Sequence, residues 1–294
     1  MKRLIIFLLL MFVPTFVFGD MVGYSGDKRR YVTEKEKSQF PYNTVVRIND
    51  DENPGTGTFV SKDVILTCKH VIDAVADEEH INYYTADGQK HIGNVKYNKD
   101  SKPDIGFIID TNAFVGNVLN VSQVATSSNN LMVIGYDSLK PLSNEEIKII
   151  KNLYSDWLNE NGGKITATNV YKAMAEIDTI ISIQYNCTSE NQKNCVHCSG
   201  KEWCIFDDAN NMKVREGCKV TNINSGIYTD CPAAPGASGS AVIDKDTMQI
   251  IGVACSVMQP QIGQNKDASS NAVKSEVYYK ALNNLINALN ERND

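Results

Sequence analysis

The sequence predicts an all-β protein, an antiparallel barrel or sandwich with one inserted helix and an amphipathic helix at its end. Three observations carry this. From Asn43 onward, apolar runs of strand length recur between turn residues, the pattern of antiparallel sheet. The rhythm breaks after Ser143, where apolar residues move to helical spacing. A chain of 294 residues with 42% hydrophobic and 22% charged content can bury a core, which excludes a collagen, a coiled coil and a disordered polymer. The length fits a single domain of the larger β type, and no internal repeat is present.

Residues 1–19 have the form of an export signal. Lys2 and Arg3 supply the basic start, Leu4 to Phe12 the apolar stretch, and Val17-Phe18-Gly19 a cleavage site before Asp20. Pro14 breaks the apolar run, which is short beside the roughly 20 residues of a membrane span. Cleavage is therefore expected to leave a soluble chain, secreted or periplasmic, with no stable membrane association. Residues 20–40 are polar, carry Lys28-Arg29-Arg30 and show no apolar period, so they read as a loose leader or propeptide. The domain proper is expected over 41–294.

Strands are expected at Thr44 to Ile48, Gly57 to Val60, Val64 to Thr67, Ile81 to Thr85, Ile92 to Tyr97, Ile105 to Ile109 and Leu131 to Gly135. Ser143 with Glu146 matches a capping box, and Ile150, Leu153, Tyr154, Trp157 and Leu158 share a helical face before Asn161-Gly162-Gly163 stops it. A weaker helical pattern spans Thr168 to Ile177. Strand patterns resume at Thr179 to Tyr185 and Ser240 to Ile243, the latter joined to Met248 to Cys255 through Asp244-Lys245-Asp246. The final stripe of Tyr278, Ala281, Leu282, Leu285, Ile286 and Leu289 predicts a helix packed on the barrel.

A net charge of −6, or −8 once Lys2 and Arg3 are removed with the signal, argues against nucleic acid as a partner, since that affinity rests on clustered Lys and Arg. Eight cysteines in an exported chain point to disulfides. Six of them, Cys187, Cys195, Cys198, Cys204, Cys218 and Cys231, lie within 45 residues, whereas Cys68 and Cys255 stand apart. Cys195-Val196-His197-Cys198 with Cys204 nearby has the look of a zinc or redox group. Thiolate ligands need reducing conditions and no βαβ pattern flanks the stretch, so disulfides are expected there.

Three stretches carry chemistry. In Gly236-Ala237-Ser238-Gly239-Ser240, small residues let a serine sit on a tight turn with its hydroxyl exposed, while the Gly236 and Ser238 amides converge on one spot able to hold an oxyanion. In Leu66-Thr67-Cys68-Lys69-His70, a strand ends at a histidine that can accept a proton near neutral pH. His80, His91 and His197 lie in contexts that suit ordinary surface or core residues. In Lys102-Pro103-Asp104-Ile105-Gly106, an acid stands at the mouth of an apolar strand, where it can orient an imidazole or simply cap the strand.

In the order His70, Asp104, Ser238, these elements resemble the chymotrypsin/trypsin-like serine proteases, and most of all the bacterial glutamyl-endopeptidase-like (V8-like) peptidases. The motifs behind the resemblance also include Thr44-Val45-Val46-Arg47-Ile48, Gly55-Thr56-Gly57-Thr58, Ile134-Gly135-Tyr136 and Gly252-Val253. It covers about residues 42–290 and matches poorly through the helix- and cysteine-containing insertion at about 140–225. The resemblance implies two six-stranded antiparallel barrels with the site between them. It gives Ser238 the role of nucleophile, His70 of general base, Asp104 of orienting carboxylate and the Gly236 and Ser238 amides of oxyanion hole. Val253-Ala254-Cys255-Ser256 would pair with substrate backbone, and Ala233, Ala254, Cys255 and Ser256 would contact substrate. Cys68 and Cys255 would pair across the barrels if they face each other near the cleft.

This chain departs from the family's pattern at several positions. Cys68 takes a position where a small residue is usual, and Lys69 precedes the histidine, pointing away from it if both lie on a strand. Ala237 replaces the acid that pairs with a new amino terminus in zymogen-type relatives. Ala254 or Cys255 stands where glutamyl-specific relatives carry a histidine, and Asp230 lies two residues further from the serine than the acid of a trypsin-type pocket. The expected function is an exported serine endopeptidase acting on protein or peptide substrates without a cofactor or metal. The alternative is a catalytically silent protein that uses the scaffold to bind a protein partner. A third expectation is that the leader or the insertion inhibits the site until it is cut, for which Lys28-Arg29-Arg30 offers a basic target.

Overall fold

The computed structural model describes residues 28–49, 55–75, 79–96, 103–111, 116–137, 141, 159, 210–231, 233, 236–258 and 269–293. The signal stretch, the inserted helix, the Thr168 to Ile177 helix, the Thr179 to Tyr185 strand and four cysteines of the cluster lie outside them. In chain order the elements are β1 (Arg29–Tyr31), α1 (Glu34–Lys37), a 3-10 turn (Tyr42–Thr44), β2 (Val45–Ile48), β3 (Gly55–Ser61), β4 (Val64–Thr67) and α2 (Lys69–Val75). Then follow β5 (His80–Tyr84), β6 (Lys90–Lys96), β7 (Gly106–Ile109), β8 (Asn120–Val121) and β9 (Leu131–Gly135). The remainder is β10 (Lys213–Cys218), β11 (Val220–Ile223), β12 (Ile227–Thr229), β13 (Ser240–Asp244), β14 (Gln249–Met258), β15 (Ser269–Lys274) and α3 (Ser275–Asn293).

The first half closes into a six-stranded barrel in the order β2-β3-β4-β7-β6-β5. Burial marks its strands: all four residues of β4 are buried, and so are the first six of β3, where small Gly and Thr side chains precede Phe59 and Val60. The second half is a curled nine-stranded sheet, β1-β10-β9-β13-β14-β15-β12-β11, with the short β8 added in parallel to β14. The fold is thus all-β, with a half-barrel as its second body. Both faces of this sheet are covered, because alternate residues of β9 serve two cores: Met132 and Ile134 face the larger cluster, Leu131 and Val133 the smaller. The larger cluster runs without a break from Val46 and Ile65 in the barrel to Val253 and to Tyr278 and Leu282 of α3. Along the expected α3 stripe, Leu285, Ile286 and Leu289 pack against it, whereas Ala281 is exposed.

The leader differs from the loose segment expected. Residues 29–31 form β1, antiparallel to β10, and Thr33 caps α1 through a reciprocal box with Glu36. The basic run is built into the sheet. Arg29 is only 6% exposed and its guanidinium lies 3.4 Å from Asp137, a carboxylate also met by Lys213 and Arg215 with all four side chains buried. Lys28 pairs with Asp230 at 2.9 Å. A buried cationic anchor leaves no apolar trace in the sequence, which is why the segment reads as solvent-facing.

Candidate active site

The barrel brings His70 and Asp104 together. β4 pairs with β7 in a register that sets Thr67 opposite Gly106, so the loop before β7 and the start of α2 meet at one end of the barrel. One carboxylate oxygen of Asp104 accepts the His70 main-chain N–H at 2.9 Å, and the other lies 2.6 Å from His70 Nδ1. The imidazole is therefore gripped at two points. Burial works to raise the Asp104 pKa, but the His70 hydrogen bonds and charge, with Lys69 adding to them, outweigh it and hold the carboxyl below its ordinary range. An ionised Asp104 can only accept, so Nδ1 is the donor in this contact and Nε2 is the ring nitrogen left to face the cleft chemistry. Lys69 and His70 are the first residues of a helix rather than neighbours on a strand, and the Lys69 charge falls on Asp104.

Ser238 stands half-buried on the turn entering β13. Gly236 (φ 91°) and Gly239 (φ 92°) flank it in the left-handed region, where a side chain is strained, and the Ser240 N–H closes the turn on the Ala237 carbonyl at 2.9 Å. A Cβ on Gly239 would overlap the Thr56 carbonyl oxygen. This close approach belongs to a joint between the halves. From β3, the Thr56 N–H donates to the Ser238 carbonyl at 2.8 Å, and its Oγ1 donates to the Gly236 carbonyl at 2.9 Å while accepting the Tyr136 N–H at 2.9 Å. Thr67 Oγ1 donates in turn to the Thr56 carbonyl at 2.7 Å. Sequence reasoning gave Thr56 no role. Its signal was the Gly55-Thr56-Gly57 spacing, which leaves room for a close neighbour without saying which.

Ala233, Ala254 and Cys255 are buried, each 8% exposed or less. Cys255 Sγ is bonded to Cys68, so its side chain is committed to a bridge between the halves. β14 pairs with β13 only as far as Ala254, opposite Ser240. From Ser256 to Met258 its backbone is paired on the β15 side alone among the described residues. Asp230 follows β12 at the open end of the β11–β12 hairpin, bound by Lys28 and by the Lys219 N–H at 2.6 Å. The neighbouring Cys231 is bonded to Cys218. Asp230 therefore holds Lys28 and Lys219 to this end of the hairpin. The other described histidines are as expected: His91 stacks on Tyr83 with ring centroids 5.1 Å apart, and His80 is exposed.

The potential metal ligands that cluster among the described residues are Cys68, Asp104 and Cys255, and the two sulfurs are joined to each other. No helix among those residues is long and apolar enough to cross a membrane.

Comparison with known proteins points one way. Residues 55–253 match the family described as trypsin-like peptidase domain. A solved structure of a Glu endopeptidase in complex with MPD is 16% identical, with a TM-score of 0.50 over 88% of this chain and 96% of its own. The serine endoprotease from Yersinia pestis is 14% identical, with a TM-score of 0.50 over 87% of this chain and 67% of its own. Comparison with curated protein sequences returns no match.

Proposed function

Because the chain belongs to the trypsin-like peptidase family, we propose that it is an exported serine endopeptidase that cleaves peptide bonds through an acyl-enzyme. The observation that carries this reading is the two-point grip of Asp104 on His70, which orients the imidazole. Ser238 Oγ attacks the scissile carbonyl as His70 Nε2 takes its proton. The oxyanion is stabilised by the Gly236 and Ser238 amides on the Thr56-pinned turn. Collapse expels the amine, which leaves with the proton from His70, and water repeats the sequence to free the acid. Asp104 stays ionised throughout and stabilises the imidazolium. Substrate backbone lies along the edge of β14 beyond Ala254, where a further strand can add. Export is supported by the signal-like residues 1–19 and by two disulfides among the described residues.

The test is labelling with a fluorophosphonate probe, wild type beside Ser238→Ala and His70→Ala. Label on the wild type that disappears in both variants, with circular dichroism unchanged, is expected. Equal labelling of Ser238→Ala and wild type refutes the assignment.

A further inference from the structure

One covalent bond touches all three parts of the site. Cys68, the residue between β4 and α2, lies two residues before His70, and it is bonded to Cys255 of β14, 187 residues away in sequence. Cys255 Sγ is 3.0 Å from the Asp104 carbonyl oxygen, and Cys68 Sγ is 3.1 Å from the Ala254 carbonyl oxygen. That same Ala254 carbonyl accepts the N–H of Gly239, the neighbour of Ser238, at 2.8 Å. Register shifts on β14 between Ala254 and Ser256, so Cys255 falls at an irregularity that turns it out of the ladder. The bridge thus fixes the segments bearing His70 and Asp104 against the strand that holds the Ser238 turn. Its sulfurs are buried, with Cys68 fully covered and Cys255 at 8%.

We propose that Cys68–Cys255 is a positioning disulfide for the serine-peptidase site, which is fully active only when it is closed. The proposal rests on the peptidase reading above. His70 and Asp104 belong to the barrel and Ser238 to the half-barrel, so proton transfer depends on how the two are seated. Displacements near 1 Å at such a site cost about 100-fold in rate. Opening the bridge takes two electrons from a dithiol such as dithiothreitol. One thiolate attacks a sulfur to form a mixed disulfide, the second thiolate closes the reagent into a ring, and the two cysteine sulfurs leave as thiols. The Cys218–Cys231 bridge lies within the β10–β12 region and serves as the internal control.

In the decisive experiment, full-length wild type is titrated with dithiothreitol at 10 °C, and each fraction is trapped with iodoacetamide for mass spectrometry of all eight cysteines. The fluorophosphonate labelling rate is read on each fraction. The rate is expected to fall 10- to 100-fold in step with opening of Cys68–Cys255, while circular dichroism stays native. The double variant Cys68→Ala with Cys255→Ala, if it folds, is expected to label at the same low rate and to be insensitive to the reagent. A purely stabilising bridge would lower the melting temperature and leave the rate at 10 °C within about twofold of wild type, which overturns the proposal. Oxidised wild type that takes no label at Ser238 overturns the peptidase reading, and the bridge proposal falls with it. Label that survives opening of Cys68–Cys255 overturns the bridge proposal alone.

Discussion

Replacing Thr56 by valine removes one hydroxyl and almost no volume, and so tests whether the Ser238 turn is held from the barrel. Thr56 is fully buried. Its Oγ1 serves two partners, the Gly236 carbonyl and the Tyr136 N–H, each at 2.9 Å. A buried polar group that loses its partner costs about 1–3 kcal/mol, so two such losses in a partly relaxing site come to about 2–4 kcal/mol. Thr56→Ser keeps the hydroxyl and loses a methyl, worth about 1 kcal/mol. Urea unfolding followed by tryptophan fluorescence should rank the proteins wild type, Thr56→Ser, Thr56→Val, with midpoints shifted at constant slope. Fluorophosphonate labelling should separate them further. Thr56→Val, with Gly236 released, is expected to label about tenfold slower or more, and Thr56→Ser near the wild-type rate. Thr56→Val as stable as Thr56→Ser would refute the hydrogen-bond argument, and full labelling by a destabilised Thr56→Val would refute the link from Thr56 to the turn.

Gly239→Ala forces a Cβ into the left-handed region against the Thr56 carbonyl, so a loss of about 2–4 kcal/mol in thermal unfolding and near-complete loss of labelling are expected. Asp104→Asn can keep its contacts while favouring the wrong imidazole tautomer; the labelling rate should drop about 1,000-fold or more with folding intact. Asp137→Asn leaves Arg29, Lys213 and Arg215 facing a neutral amide in a buried site, and a loss of about 3–5 kcal/mol should appear in urea unfolding. Glu36 is held at about 2 by Arg30 first, with the Thr33 hydrogen bonds adding to it. A depressed folded-state pKa gives stability that is full above the unfolded value of 4.5 and vanishes as pH falls toward about 2. The melting-temperature gap between wild type and Glu36→Gln should therefore be constant from pH 7 to about 5 and close by about pH 2.

Strands that bury a run of apolar side chains between turn residues were legible; β4 and β9 fall where Val64 to Thr67 and Leu131 to Gly135 predicted them. β10 was not, since its core positions include Lys213 and Arg215, cations that read as surface until Asp137 is seen beside them. β1 and β8 are two or three residues long and exist only because a neighbour offers an edge. At the site, His70 and Asp104 could be nominated from local context and family resemblance, whereas their contact depends on the Thr67–Gly106 register. Asp230 stood two residues off the position of a pocket acid in the sequence, and its partner Lys28, 202 residues away, could not be read there.

The seating of β1 bears on what a second protease would do to this molecule. β1 is the terminal strand of its sheet and covers the outer edge of β10. A cut between Arg29 and Arg30 would take Arg29 away from Asp137 and shorten β1 by its first residue, while Arg30 and Tyr31 stay joined to the rest of the chain. The outer edge of β10 would then be held less firmly, with Lys213 and Arg215 the cations left on Asp137. For this chain the basic run is an anchor, and a cut there would loosen the edge of the sheet it holds.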